Sequence, residues 1–185
     1  MLNDKKISQI IRVNHAGELG AKLIYDGQIA ALKLKKDYKT IEIINEMKSQ
    51  EEVHFKYFDE IIRKENVRPT IMQPIWKVGG FALGFITAII DKKAAMCCTT
   101  AVEEVIDEHY LEQLNLIKNE KNILSTNQQN NINELEENIL KFRQEEIHHR
   151  DIGYENNARD LKAFVPLSQF IKATTKLAIF ISKRI

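Results

Sequence analysis

The chain has 185 residues, a formal net charge of +1, 44% hydrophobic side chains and 29% charged ones. That length suits one domain, residues 1–185, with a real core, and the near-neutral, scattered charge argues against a broad nucleic-acid surface. The two cysteines, Cys97 and Cys98, are adjacent, which excludes a disulfide framework or a four-cysteine zinc site and agrees with a reducing compartment.

Seven glycines and three prolines leave long periodic stretches, the mark of an all-α protein. Helices are predicted over 4–35, 38–65, 75–90, 92–119, 130–157 and 166–183. In the first, Ile11, Glu18, Tyr25 and Leu32 recur every seven residues, and Gly17 and Gly20 leave room beside Glu18. In the second, Ile44, Met47, Glu51, His54, Phe58 and Ile61 follow the alternating three-and-four spacing of a buried bundle stripe. Glu52 shares a line with Asn45, Lys48 and Asp59, a solvated face.

Pro69 and Pro74 bracket a break. The third helix, in PIWKVGGFALGFITAIID (74–91), has Lys77 as its one charge between Pro74 and Asp91. It is shorter than the ~20 residues of a straight membrane span. A buried core helix and a helix dipping into one leaflet both fit, with Trp76 and Lys77 resembling interfacial anchors. In the fourth helix Met96, Thr99, Glu103, Ile106, Tyr110 and Leu114 form the inward line, while Glu104 aligns with Asp107 and Glu108.

Residues 119–131, NEKNILSTNQQNN, read as a loop, and Asn131 followed by Glu134 as a capping box that starts the fifth helix. That helix contains QEEIHHRD (144–151), with two overlapping Glu-x-x-His pairs. The stripe Leu135, Ile139, Phe142, Glu146, His149 and Gly153 is apolar around its pair. The competing line of Asn138, Lys141, Glu145, His148 and Ile152 is mostly polar. Glu146 and His149 are therefore expected to face inward, and changes at Glu145 or His148 to matter much less. Pro166 opens a last helix whose apolar face runs through Leu167, Phe170, Ile171, Thr174, Leu177, Ala178 and Ile181. Packing on its own bundle and contact with a membrane are both compatible with that face, and Ile179 and Phe180 widen it toward the second.

A buried, unpaired carboxylate costs several kcal/mol unless it is paired, protonated or metal-bound. Four helices supply, in order, Glu18, Glu51 with His54, Glu103, and Glu146 with His149. This is the ligand set of ferritin-like di-iron or di-manganese bundles. Oxygen and imidazole donors suit iron or manganese, and two histidines for two metals leave positions open for oxygen.

The surroundings point further. IIRVNHAGELGA (10–21), IYDGQIA (24–30), RPTIMQPIWKVGGFALG (68–84), TTAVEEVIDEHY (99–110) and KFRQEEIHHRDIG (141–153) resemble, in order and over nearly the whole chain, the demethoxyubiquinone hydroxylases of ubiquinone biosynthesis. The resemblance implies a ferritin-like four-helix bundle with two additional apolar, membrane-facing helices. It places two iron ions, ahead of manganese, on Glu18, Glu51, His54, Glu103, Glu146 and His149, with His109 and Tyr110 near them. Two departures are Asn14, where the family has Asp, and Leu19, where it has an aromatic residue; His148 and Arg150 also differ.

The implied activity is hydroxylation of a demethoxy polyprenyl quinone or quinol ring with O₂ and an external reductant. The implied partners are that substrate, a lipid surface, a quinone-biosynthesis complex and further copies of the chain, with no nucleic acid. MLNDKKISQIIRVN lacks signal-peptide and transit-peptide patterns. The expected location is therefore peripheral, on the cytoplasmic face of a bacterial inner membrane, with a processed mitochondrial form as the alternative. The rival readings are a ferritin-like iron-storage bundle and a metal-free membrane scaffold.

Overall fold

Among the described residues, 5–121 and 126–185, the computed structural model contains six α-helices, one 3-10 turn and no strand. The helices are α1 (Lys5–Lys35), α2 (Tyr38–Lys64), α3 (Gln73–Ile90), α4 (Lys92–Lys121), α5 (Thr126–Glu155) and α6 (Phe164–Ser182). The fold is all-α, with α1, α2, α4 and α5 forming the four long rods of a ferritin-like bundle and α3 and α6 laid against α1 and α4.

Local chemistry sets most helix ends. Lys36 adopts a left-handed backbone (φ 57°) and turns the chain after α1. Asp37 then caps α2, accepting hydrogen bonds from the Thr40 amide (3.2 Å) and hydroxyl (2.7 Å). Asn157, at φ 66° and ψ 30°, ends the run after α5. The α4–α5 connection differs from expectation. Helix α4 continues to Lys121 and α5 already begins at Thr126, so Asn131 lies inside a helix and not at its cap. Residues 122–125 of the predicted loop lie outside the described residues. Capping propensity is a weak local preference, and here Ile132 and Leu135 anchor α5 in the core beside Ile117, so the preceding polar turn continues the same helix.

The inward stripes are buried as the spacing predicts, apart from the half-buried Ile61 and Ile106. They build two apolar clusters. One, around Phe58, Tyr110, Leu114 and Phe142, fills one end of the bundle. The other, around Tyr25, Leu32, Ile44 and Met96, fills the opposite end. Each fully buried large side chain contributes roughly 1.5–3 kcal/mol relative to exposure, so the clusters clamp whatever polar groups lie between them.

Helices α3 and α6 pack differently. α3 buries only Gly84, Thr87 and Ala88, and α6 only Ser168, Ile171 and Ser182. Their bulky apolar side chains point away: Val78 is 73% exposed and Phe170 61%. Of the apolar face of α6, Ile171 packs on the bundle while Phe170 and Leu177 are exposed. Small residues make the seam with the bundle, which allows close backbone approach.

The α1–α3 seam is tightest at two glycines. A β-carbon at Gly84 would overlap the Ile24 carbonyl, and one at Gly27 would overlap the Phe81 carbonyl. At Gly79 nothing lies within 4 Å. Gly84→Ala should therefore destabilise the protein by about 1–3 kcal/mol, whereas Gly79→Ala should be neutral or stabilise by a few tenths up to ~1 kcal/mol through helix propensity. Urea-unfolding midpoints of the two variants check this.

Candidate metal centre

Six acidic and imidazole side chains meet between the two apolar clusters. Glu18 comes from α1, Glu51 and His54 from α2, Glu103 from α4, and Glu146 and His149 from α5; all are 4% exposed or less. They form two overlapping groups, Glu18–Glu51–His54–Glu146 and Glu51–Glu103–Glu146–His149, whose ligand atoms lie within 4.8 Å of one another. Each group has three carboxylates and one imidazole that could hold a metal ion, and Glu51 and Glu146 belong to both. The two shared residues open the two Glu-x-x-His pairs. Glu145 is partly exposed and His148 exposed, so the competing pair points outward.

The histidines are oriented for a cation. His54 Nδ1 lies 3.1 Å from Glu146 and 3.3 Å from Glu18. Its far nitrogen, Nε2, is 2.6 Å from Glu145 Oε2. His149 Nδ1 lies 3.2 Å from both Glu51 and Glu146, and its Nε2 is 2.6 Å from Gln50 Oε1. Each outer oxygen can accept the Nε2 proton, so that a cation in the cluster would meet the Nδ1 lone pair. The support crosses over: the residue preceding the shared glutamate on α5 holds the α2 histidine, and its counterpart on α2 holds the α5 histidine.

Glu145 is thus not a bystander, contrary to the expectation from its polar line. One position before Glu146 it is rotated by about 100°, which takes it off the apolar stripe but within reach of the neighbouring helix. Gln50 escaped the sequence reading for the same reason. Its only signal was a polar residue directly before the glutamate of each inward Glu-x-x-His pair.

Two phenols complete the walls. Tyr25 donates to Glu103 Oε1 at 2.8 Å, and Tyr110 donates to Glu18 Oε1. Burial and the surrounding carboxylates push both phenols well above their ordinary pKa, so both remain donors. Tyr25 was read from the sequence as an inward residue and not as part of the site.

Charge is unbalanced in this space. Burial, then the Glu146 charge, pushes the Glu51 and Glu103 carboxyls well above the ordinary range. Burial also opposes ionisation of Glu146, but His149 and His54 beside it hold it below that range. Burial disfavours charging His54, yet Glu146 and Glu18 push it up to about 12. Both Glu51 oxygens, Glu103 Oε2, Glu146 Oε1 and His54 Nδ1 make no hydrogen bond. Buried polar atoms are seldom left without partners. The donor set, its geometry and these orphaned atoms fit a pair of divalent ions.

His109 stands apart. It is buried at 7% exposure, and its Nε2 lies 2.7 Å from Gln113 Nε2. Gln113 is locked to Asn14 by a reciprocal amide pair of 2.9 and 2.7 Å. An aspartate at position 14 would remove the donor to Gln113, so the departure at Asn14 is matched by its partner. Tyr110 reaches the cluster through Glu18, whereas His109 contacts Gln113 and, at 3.8 Å, Glu112.

Above the cluster, α3 and α6 enclose an apolar cavity of ≈ 300 Å³ whose floor is α1 and α4. Gly17, Val102 and Ile106 line this floor. The first two adjoin Glu18 and Glu103 in sequence, and Ile106 follows Glu103 by one helical turn. Trp76 Nε1 donates to Ser182 Oγ at 3.1 Å and ties the start of α3 to the end of α6.

The family described as "Ubiquinone biosynthesis protein COQ7" matches residues 5–182. A 3-demethoxyubiquinol 3-hydroxylase of Rhodospirillum rubrum is 44% identical over 179 residues, which are 97% of this chain and 78% of the relative. An NADPH-dependent mitochondrial 3-demethoxyubiquinone 3-hydroxylase of Dictyostelium discoideum is 44% identical over 97% of this chain and 77% of its own. The human protein of that name is 41% identical over 97% and 78%.

Burial, and then the Lys183 charge, lowers the His109 pKa from 6.5 to about 4. The folded state therefore prefers the neutral ring. Its stabilising contribution is complete above the unfolded pKa of 6.5 and is lost as pH falls from there through about 4. An NMR titration should find the His109 ring uncharged at pH 5.5, and His109→Gln should flatten the part of the acid-stability curve that lies in this window.

Proposed function

Because the chain belongs to the ubiquinone biosynthesis protein COQ7 family, we propose that it hydroxylates the ring of a demethoxyubiquinone or demethoxyubiquinol. The observation that carries the reading is the buried ligand cluster together with an apolar cavity lined by Gly17 and Val102, the chain neighbours of Glu18 and Glu103. Glu18 and His54 would hold one iron, Glu103 and His149 the other, and Glu51 and Glu146 would bridge the two. When bound, the irons supply reductive activation of O₂: with two electrons and two protons, one oxygen atom enters the ring as hydroxyl and the other leaves as water. The relatives from Dictyostelium and human are named NADPH-dependent, which favours a reduced nicotinamide nucleotide as the external donor.

The chain's own residues do the positioning. Gly17, Gly20 and Ala21 keep the cavity floor shallow, so a flat ring can lie close to Glu18 and Glu103. Leu83, Val102 and Ile106 exclude water around it. Tyr25 and Tyr110 hold the two outer carboxylates by hydrogen bonds, and Gln50 and Glu145 hold the imidazole planes.

The substrate's polyprenyl tail belongs in a bilayer. The outward apolar side chains of α3 and α6, including Ile75, Val78, Phe170 and Phe180, give the protein a face that would rest against one. Both helices are long and apolar enough to cross a membrane by length and composition. With mostly small residues packed inward and most large apolar ones outward, the protein would lie peripherally on the membrane that holds the quinone.

Iron-loaded protein supplied with O₂, reductant and a demethoxyquinone should yield the ring-hydroxylated product. Glu146→Ala and His149→Ala should abolish both product and metal retention. Glu145→Gln should weaken metal affinity or turnover by about 10–100-fold, and His148→Ala should leave both near wild type. Oxygen uptake that yields mineral and no hydroxylated ring would favour the storage reading instead.

A further inference from the structure

At the end of the cavity marked by Trp76 and Ser182, the lining changes from apolar to cationic. A second groove, lined by Lys5, Ser8, Gln9, Arg12, Lys183 and Arg184, adjoins it. The two share a border in sequence: Val13 lines the cavity and Arg12 the groove, and Ser182 lines the cavity and Lys183 the groove. Among the described residues the groove has four cations and no carboxylate in its walls. Among the same residues none of the four is ion-paired, although Lys22, Lys48, Arg143 and Lys172 elsewhere in the molecule are.

The two arginines are also held in place. Arg12 Nε donates to the Arg68 carbonyl at 2.7 Å. Arg184 Nη1 donates to the Phe180 carbonyl at 2.8 Å, and its guanidinium lies 3.4 Å from the centre of the Phe180 ring. These bonds fix the orientation of the guanidinium groups while engaging only part of their donor capacity. Like charge is crowded here, since burial and the nearby Arg68 both lower the Arg12 pKa. Ser8 and Gln9 add neutral donors between the cations.

We propose that this groove binds the phosphate of an anionic lipid headgroup and thereby seats the mouth of the apolar cavity at the bilayer surface. The proposal rests on the membrane reading given above. Forked guanidinium donors with flanking lysines match phosphate oxygens. The position favours a lipid over a free nucleotide: the groove continues an apolar face exposed on two helices, and Trp76, an aromatic suited to the headgroup level, stands at the border. A lipid phosphate held here would leave the cavity open toward the acyl chains, where a polyprenyl substrate resides.

The test is sedimentation of the whole protein with vesicles of phosphatidylcholine, with and without phosphatidylglycerol, across a salt series. Wild type should bind both and prefer the anionic vesicles, with a preference that fades as salt rises. Lys183→Gln and Arg184→Gln should each reduce that preference by about fivefold and leave binding to pure phosphatidylcholine unchanged. Both positions lie at the end of α6, where loss of folding is least expected, and Arg12→Gln serves as a third variant. Lys33→Gln and Lys35→Gln, at the far end of α1, are controls that should keep the preference.

Binding to phosphatidylcholine with no gain from phosphatidylglycerol overturns the groove alone. So does an equal loss in the control variants, or suppression of the preference by NADPH at concentrations where inorganic phosphate has no effect. Failure to bind either vesicle overturns the membrane reading and the groove with it.

Discussion

Four carboxyl groups and two imidazoles share a space between four helices from which water is excluded, and the rest of the molecule is arranged around that fact. Left alone, such a set repels itself. Without a metal, burial and the Glu146 charge favour the uncharged forms of Glu51 and Glu103, while, despite burial, Glu146 and Glu18 favour a proton on His54. That arrangement leaves several buried atoms without a hydrogen bond. The apolar clusters at both ends provide the packing energy that holds the helices together despite it, much as strain at functional sites is generally offset elsewhere in a fold.

The same constraint accounts for the walls. An imidazole serves as a ligand only if the correct nitrogen carries the lone pair, and the crossed support of His54 by Glu145 and of His149 by Gln50 sets that. Tyr25 and Tyr110 act likewise on the outer carboxylates. A cluster with rigid walls on four sides needs one approach, and it lies where α1 and α4 present small or apolar residues toward α3 and α6. The close contact of Gly27 and Gly84 across the α1–α3 seam brings α3 down onto the bundle beside that approach. The large side chains of α3 and α6 are thereby directed outward.

Much of this was legible in the sequence because a bundle helix has a strict period. The alternation of three and four residues separates Glu146 from Glu145 and His149 from His148, and the structure buries the first of each pair while leaving the second partly or fully exposed. The same rule places Glu51 with His54 and singles out Glu103 over Glu104. What escaped depends on other helices. Glu145 and Gln50 act on residues across an interface, and no one-helix pattern carries that information. The apolar face of α6 was legible from its period, but periodicity alone does not say whether such a face packs on the bundle or points away from it, and the structure exposes Phe170 and Leu177. The start of α5 was missed because a polar, Asn-rich turn looks like a loop until the anchoring of Ile132 is known.

If the six side chains form one site for two ions, anaerobic titration of metal-free protein with ferrous iron, followed by the thermal unfolding midpoint, will show it. An ion that binds only the folded state raises that midpoint with its concentration. The expected result is a large rise that saturates at two ions per chain and is lost in Glu51→Ala. Saturation at one ion, or a midpoint indifferent to iron, would rule out a shared two-ion site.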